Sequence, residues 1–335
     1  MNLKRLLSLV LSLVLLVSVV SMSFAAVTVG GNVRVWYQSV NDESAADVAS
    51  DAFRFDRLAL TFASELSAVD GFKGEVQFRA PRSKNENDIR VDSAYYYQKA
   101  MFLANDEVNI GYIQQLPFKG SYNAIVFEDI ANAIVKDTNS VGIKYADKIG
   151  NFDFAVAVLN AKNQYAVTDT TYQGFDYGLR VNYVVIPGLK LGLAYVDDVT
   201  NSDKYNTAYL FDVTYSLGNF GAYAEYVSAS KTAAGSTTDY DGATYLELSY
   251  KVSNPLTVYV GGTAGLGTDT TSLNQGFSYT YTKDSASNLQ ATGNWMLAGL
   301  KYQLAPGTVL QAEYVSVDDS NFNKTVGAVR CLVNF

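Results

Sequence analysis

Two-residue alternation runs through this chain almost from end to end, and its interruptions come in two kinds that take turns. In Phe175-Asp176-Tyr177-Gly178-Leu179-Arg180-Val181-Asn182-Tyr183 every odd position is apolar, and the even ones are Asp, Gly, Arg and Asn. Phe72-Lys73-Gly74-Glu75-Val76-Gln77-Phe78-Arg79 and Leu189-Lys190-Leu191-Gly192-Leu193 behave the same way. A period of two is the mark of a β-strand whose faces meet different surroundings. Sixteen such strands can be placed, centred on Val35, Leu60, Val76, Tyr95, Ile110, Ile143, Val156, Leu179, Leu193, Phe211, Ala224, Leu248, Val258, Ala298, Ala312 and Val329.

The connections alternate in length. Ser67-Ala68-Val69-Asp70-Gly71, Ala104-Asn105-Asp106-Glu107, Asp147-Lys148-Ile149-Gly150-Asn151, Ile186-Pro187-Gly188, Leu217-Gly218-Asn219, Ser253-Asn254-Pro255 and Ala305-Pro306-Gly307 are short. They hold the Gly, Pro, Asn and Asp that tight turns need. Between them lie longer polar loops: Asn41 to Asp51, Pro117 to Thr138, Ala161 to Tyr172, Lys231 to Tyr240 and Gly265 to Asn288. Short turns at one rim and long loops at the other are the pattern of an outer-membrane barrel. A soluble sandwich has no reason to keep that rotation.

Aromatic residues separate the two readings further. Phe62, Tyr97, Tyr145, Tyr183, Tyr215, Tyr250, Tyr302 and Phe335 fall near the short-turn ends of descending strands, on the apolar phase. Phe72, Phe152 and Phe220 follow turns, and Tyr37, Tyr112, Tyr195, Tyr226 and Tyr314 supply a second level. Rings in two belts suit the two interfaces of a bilayer. The expected fold is therefore all-β: a transmembrane antiparallel β-barrel of 16 strands over residues 26–335.

The start of the chain agrees. Lys4 and Arg5 precede an apolar run from Leu6 to Val20, and Ser23-Phe24-Ala25 is a small-x-small cleavage site. Residues 1–25 thus read as a secretory signal peptide rather than an anchor helix, for which the run is short. No later stretch approaches the length of a membrane helix, so an integral mature chain must be a barrel. The chain holds 25 basic and 33 acidic residues; without Lys4 and Arg5 the balance is 23 − 33 = −10, which argues against nucleic acid as a partner. With no histidine in the sequence, Ser-His-Asp and Cys-His catalysis and histidine metal sites are excluded together. Cys331 is the single cysteine, so no intramolecular disulfide forms. No metal or other cofactor is expected, and no catalytic residue is assigned.

The last strand, Thr325-Val326-Gly327-Ala328-Val329-Arg330-Cys331-Leu332-Val333-Asn334-Phe335, places Val329, Cys331, Val333 and Phe335 on one face. It resembles the C-terminal strand of bacterial outer-membrane barrels. That resemblance implies that Phe335 is part of the signal read by the barrel-assembly machinery. Fold, loop pattern and last strand together resemble the bacterial trimeric porins, by architecture over the whole mature chain rather than by a tight motif. The Pro-Glu-Phe-Gly-Gly string of enterobacterial general porins is absent, which leaves the subfamily open. The resemblance implies a homotrimer in outer-membrane lipid that passes small hydrophilic solutes and ions.

It also implies that the third loop folds into the pore. Here that loop is Pro117 to Thr138, which opens Leu116-Pro117-Phe118-Lys119-Gly120. Within it Phe127, Ile130, Ala131 and Ile134 match one face of a helix, with Glu128, Asp129 and Asn132 on the other. By strand phase Arg34, Arg57, Arg79, Arg90 and Arg330 point inward from strands that become neighbours when the barrel closes. Asp153, Asp176, Asp212, Glu225, Glu247 and Glu313 point inward elsewhere. The resemblance sets the five arginines against Glu128 and Asp129 as the pore constriction. The alternatives are that the loop is a lid or subunit contact, and that arginines pair with lumenal Glu75 or Asp92. At the level of function the alternatives are a substrate-specific channel for phosphate or another anion, and a structural or adhesive barrel with a plugged lumen.

Overall fold

The computed structural model describes residues 27–42, 50–79, 88–113, 140–160, 175–197, 207–233, 236–264, 294–319 and 322–335. The expected signal segment, the Pro117 to Thr138 loop and, with it, Glu128 and Asp129 lie outside the described residues. Eight strands form the first half: β1 (Thr28–Asp42), β2 (Ser50–Glu65), β3 (Asp70–Arg79), β4 (Asp88–Lys99), β5 (Glu107–Ile113), β6 (Ser140–Ile149), β7 (Phe152–Asn160) and β8 (Phe175–Ile186). Eight more follow: β9 (Leu189–Asp197), β10 (Thr207–Leu217), β11 (Phe220–Ala233), β12 (Ser236–Lys251), β13 (Leu256–Ala264), β14 (Asn294–Ala305), β15 (Thr308–Asp319) and β16 (Phe322–Asn334). Each expected strand centre lies inside one of them.

Every strand pairs antiparallel with its chain neighbours, and β1 pairs with β16, so the sheet is a closed barrel. The seam is in register from Asn32↔Asn334 to Asp42↔Lys324. Below it Gly31 and Phe335 exchange backbone hydrogen bonds of 2.9 and 3.0 Å. A side chain on Gly31 would have its Cβ 2.9 Å from Cζ of the Phe335 ring, so the glycine is what lets that ring lie across the first strand. Closure leaves no edge, and no helix among the described residues is long and apolar enough to cross a membrane.

The two faces differ as the alternation requires. Phe53, Phe55, Leu193, Phe211, Val260 and Met296 are exposed on the outer face. A belt of exposed large apolar side chains around a closed sheet has one natural solvent, the hydrocarbon of a bilayer. Rings pack along it: Phe72 on Tyr96 at 5.4 Å, Tyr145 on Phe154 at 5.8 Å and Phe152 on Tyr183 at 4.5 Å at one level. Tyr37 on Phe53 at 4.9 Å and Tyr195 on Tyr209 at 5.0 Å mark the other.

Two expectations are corrected. Tyr97 is not a belt residue: it is buried on the inner face, and Tyr96 takes the outer place against Phe72. The cause is a β-bulge. Glu75 pairs with Ser93 but Val76 pairs with Val91, so Asp92 is an extra residue in β4. One extra residue inverts the phase of everything beyond it. A second bulge, in β2, leaves Asp56 without a partner and keeps both Arg57 and Phe55 on their proper faces. The other correction concerns Lys231 to Tyr240, which is not a long loop. There β11 and β12 continue, with Lys231↔Thr238, Thr232↔Thr237 and Ala233↔Ser236 paired. The sequence there, Lys231-Thr232-Ala233-Ala234-Gly235-Ser236-Thr237-Thr238-Asp239-Tyr240, has no apolar alternation that reveals it as strand.

A sheet hydrogen-bonded on every edge has no place to begin unravelling in detergent. The folded chain is expected to migrate differently on SDS gels before and after boiling. Identical migration of the two samples would refute closure.

Candidate functional site

The functional surface of a barrel this wide is its inner wall, because sixteen strands leave space for water where eight are filled by their own side chains. Charges of both signs line that wall, with arginines clustered near the seam. Arg34, Arg57, Arg90, Arg330 and Lys73 come from β1–β4 and β16. Asp176, Asp212, Glu225, Glu247 and Glu313 come from β8, β10, β11, β12 and β15, and all five are buried.

On the basic side the seam does the gathering. Arg34 and Arg57 are direct partners across β1 and β2, and Trp36 is the partner of Arg330 across β1 and β16. The Arg330 guanidinium lies 5.8 Å from the Trp36 ring centre. Arg34, Arg57 and Arg330 are thus brought together. Arg90 is committed to an ion pair of 2.8 Å with Asp92, the bulge residue, as the pairing alternative anticipates. Arg79 is in register with Arg57 and Asp88; its side chain is not described. Lys73 sits 4.7 Å from the ring centre of inward Tyr97.

On the acidic side tyrosines hold the carboxylates. Tyr223 donates to Glu225 at 2.6 Å and Tyr245 to Glu247 at 2.7 Å. The Tyr223 and Tyr245 ring centres are 6.2 Å apart. A relay joins the two sides. Arg330 donates to Gln311 Oε1 at 2.7 Å, Gln311 Nε2 to Tyr259 Oη at 2.8 Å, and Tyr259 to Glu313 at 2.9 Å. Every donor points the same way, from guanidinium to carboxylate, so each bond polarises the next. Further round, Arg180 and Asp212 form a buried pair at 2.6 Å, and Arg180 also donates to Asn182 at 3.0 Å.

Both arrangements depend on a missing Cβ. At Gly299 a Cβ would stand 2.2 Å from the Tyr259 ring, and at Gly192 it would stand 2.4 Å from the Asp212 carboxylate. The glycines are the cross-strand partners of these large side chains, Tyr259↔Gly299 and Asp212↔Gly192. Tyr223, Tyr245 and Tyr259 escaped the sequence reading. Two of them carry a signal in the sequence, a carboxylate two residues on along the same face in Tyr223/Glu225 and Tyr245/Glu247, whereas the strand of Tyr259 holds no carboxylate.

Near the short-turn rim a recess of about 370 Å³ is lined by Glu107, Asp147, Lys148, Asp153, Arg180 and Asn182. Charges of both signs line it. Toward the long-loop rim the wall is apolar, where Leu159, Leu210, Val227 and Val315 face inward and are cut off from solvent. Below that level most of the inward side chains are charged or hydrogen-bonding groups, which solvate ions and polar solutes.

The profile of a family described as Gram-negative porin matches residues 11–321. Among solved structures, the chain is similar to several variants of the Rhodopseudomonas blastica porin. A triple mutant aligns with a TM-score of 0.60 at 14% identity, covering 92% of this chain and 100% of that one. Another variant gives 0.60 at 13% with the same coverage. A structure described as concerning the asymmetric conductivity of engineered proteins gives 0.61 at 14%, again over 92% and 100%. At these identities the likeness is one of fold. No curated protein matches the sequence.

Removing one half of a buried ion pair strands the other charge, at a cost of about 3–5 kcal/mol. Asp212→Ala is expected to lower the unfolding midpoint of the barrel in detergent accordingly. Replacing both partners, Arg180→Met with Asp212→Leu, should recover most of the loss. An Asp212→Ala barrel as stable as the parent shows that the pair contributes nothing.

Proposed function

Because the chain belongs to the Gram-negative porin family, we propose a particular way in which its channel is narrowed and biased. The protein is an outer-membrane diffusion channel and not an enzyme. The observation that carries the finer reading is the gathering of Arg34, Arg57 and Arg330 at the seam, with buried Asp176, Asp212, Glu225 and Glu247 on β8 to β12 across the barrel.

The segment Pro117 to Thr138 folds into the passage and forms its narrowest part. Its apolar face, Phe127, Ile130, Ala131 and Ile134, lies on the inner wall, and Glu128 and Asp129 face Arg34, Arg57 and Arg330. What supports this is the apolar inner wall toward the long-loop rim: Leu159, Leu210, Val227 and Val315 are shut off from water there, as a polar channel alone does not require. Opposed charges in a narrow passage orient polar solutes, and apolar solutes must displace ordered water without replacing its hydrogen bonds. Arg79 and Arg90 contribute background charge, Arg90 less because Asp92 neutralises it. Three such chains assemble as a homotrimer with the short turns in the periplasm. Residues 1–25 are removed on export, and Phe335 is recognised by the assembly machinery.

Deleting Ala124 to Val135 should raise single-channel conductance in a planar bilayer, because the narrowest cross-section goes with it. Unchanged conductance would make the segment a lid or a subunit contact.

Selectivity should be weak and lean toward cations. Charges at the mouth are screened beyond about 10 Å at 0.1 M salt, whereas those at the constriction are screened less. There arginines and carboxylates oppose each other and leave a small residue. Glu128→Gln with Asp129→Asn should shift the reversal potential in a KCl gradient toward anions, more so as salt falls. A parent channel strongly selective for anions, or an unmoved potential in the double variant, overturns the placement of those two side chains.

A further inference from the structure

The recess of about 370 Å³ near the short-turn rim lies on β5 to β8, away from the arginines at the seam. Two rows of inward residues build it. In the upper row Glu107 pairs with Ala146, Ala146 with Ala155 and Ala155 with Arg180. In the row below, one step nearer the turn, Lys148 pairs with Asp153 and Asp153 with Asn182. Neighbouring strands are about 4.8 Å apart, so the upper row spans three spacings, about 14 Å, along the sheet. A carboxylate stands at one end of it and a guanidinium at the other, with a floor of two methyl groups between.

The floor stays open because Arg180 is drawn the other way. Its guanidinium crosses β9 to reach Asp212 on β10 at 2.6 Å, and its Nε donates to Asn182 at 3.0 Å. It crosses at Gly192, where a Cβ would stand 2.7 Å from Nη2 of Arg180. The other charges do not neutralise one another. Lys148 and Asp153 are direct partners, yet neither they nor Glu107 form an ion pair among the described residues. The backbone that carries Lys148 is nonetheless fixed. Its amide donates to the Asp147 carboxylate at 2.7 Å, and its carbonyl accepts from Asn105 Nδ2 at 3.3 Å. One ammonium and two carboxylates therefore stand unpaired around an apolar floor, on a sheet that holds their spacing.

We infer that this recess is a binding site for a small zwitterion of the amino-acid class. The ligand carboxylate meets Lys148, its ammonium lies between Glu107 and Asp153, and a short side chain covers the methyl groups of Ala146 and Ala155. A simple anion on Lys148 faces Asp153 on the next strand, and a simple cation between the carboxylates faces Lys148. A molecule that carries both charges answers all three groups with charge-assisted hydrogen bonds. The volume is at the low end of the range of ligand sites, about 300–1,000 Å³, which suits a molecule of that size. The site retains such solutes on their way through the passage. The inference rests on the diffusion-channel reading, so binding and conduction are measured separately.

The full barrel is folded in detergent micelles and titrated with L-alanine, propionate or propylammonium, which share a carbon skeleton and differ in charge. Saturation transfer from protein to the ligand methyl protons is the readout. Transfer to L-alanine is expected to saturate, and transfer to the two singly charged probes is not. Lys148→Gln and Asp153→Asn should each weaken L-alanine binding about tenfold, the loss of one charge-assisted hydrogen bond. Ala155→Leu, which fills the floor and leaves every charge in place, should abolish it. Lys251→Gln, an inward lysine on β12, should leave it unchanged. A shift in gel migration on boiling confirms that each variant is folded, and if Ala155→Leu does not fold the two charge variants decide. Equal transfer to all three probes overturns the proposal, as does propionate bound as tightly as L-alanine. So does L-alanine binding that is unmoved in Lys148→Gln and Asp153→Asn. Parent conductance in a planar bilayer is the separate control. A conducting barrel that does not bind L-alanine fails the site alone, and one that binds L-alanine but passes no current fails the channel reading.

Discussion

A backbone inside hydrocarbon has no water to bond, and this barrel is arranged around that fact. Each unpaired N–H or C=O in lipid costs several kcal/mol, so the sheet must close. Closure brings β1 to β16 and sets Arg34, Trp36 and Arg330 side by side from opposite ends of the chain. The meeting of Arg330 with Arg34 and Trp36 is thus a product of the seam. The same demand explains the contact of Phe335 with Gly31, which completes the last rung below the seam.

Once the backbone is satisfied, the inner wall becomes the place where side-chain polarity is spent or kept. Much of it is spent internally. The run from Arg330 through Gln311 and Tyr259 to Glu313, and the Arg180–Asp212 pair, hold charges in fixed positions. Buried pairs of this kind add little net stability, but they stop charged side chains from collapsing across the passage. Glycine is what makes the wall thick enough to hold them: Gly192 and Gly299 give up their own side chains to the space of a neighbour. Diffusion through the channel therefore takes place past a rigid, preorganised set of dipoles rather than a flexible brush.

The outer face obeys a simpler rule, and the exceptions to it are informative. Rings sit at two levels and aliphatic side chains between them. Where β4 carries an extra residue, Tyr96 replaces Tyr97 on the belt, and the tyrosine displaced inward receives Lys73. A bulge thus serves both faces at once. Where β5 offers only Val108, the preceding turn brings Phe102 round to the same level.

The sequence by itself determined the class of fold, the sixteen strand positions and the short turns, because each is a local signal. Alternation is visible within a strand, and the turn glycines, such as Gly188 and Gly307 with their positive φ, are visible within a few residues. It also determined that Arg34, Arg57, Arg90 and Arg330 face one way and the rings, for the most part, the other. What it left open depends on register between strands far apart in the chain. Only the tertiary structure decided that Asp92 is a bulge that turns Tyr97 inward and neutralises Arg90. Only it decided that Lys231 to Tyr240 continues the sheet, and that Tyr259 reaches Glu313 across the space left by Gly299. A one-residue slip in pairing changes every neighbour on a face while leaving the pattern within each strand intact, and so no reading of single strands can find it.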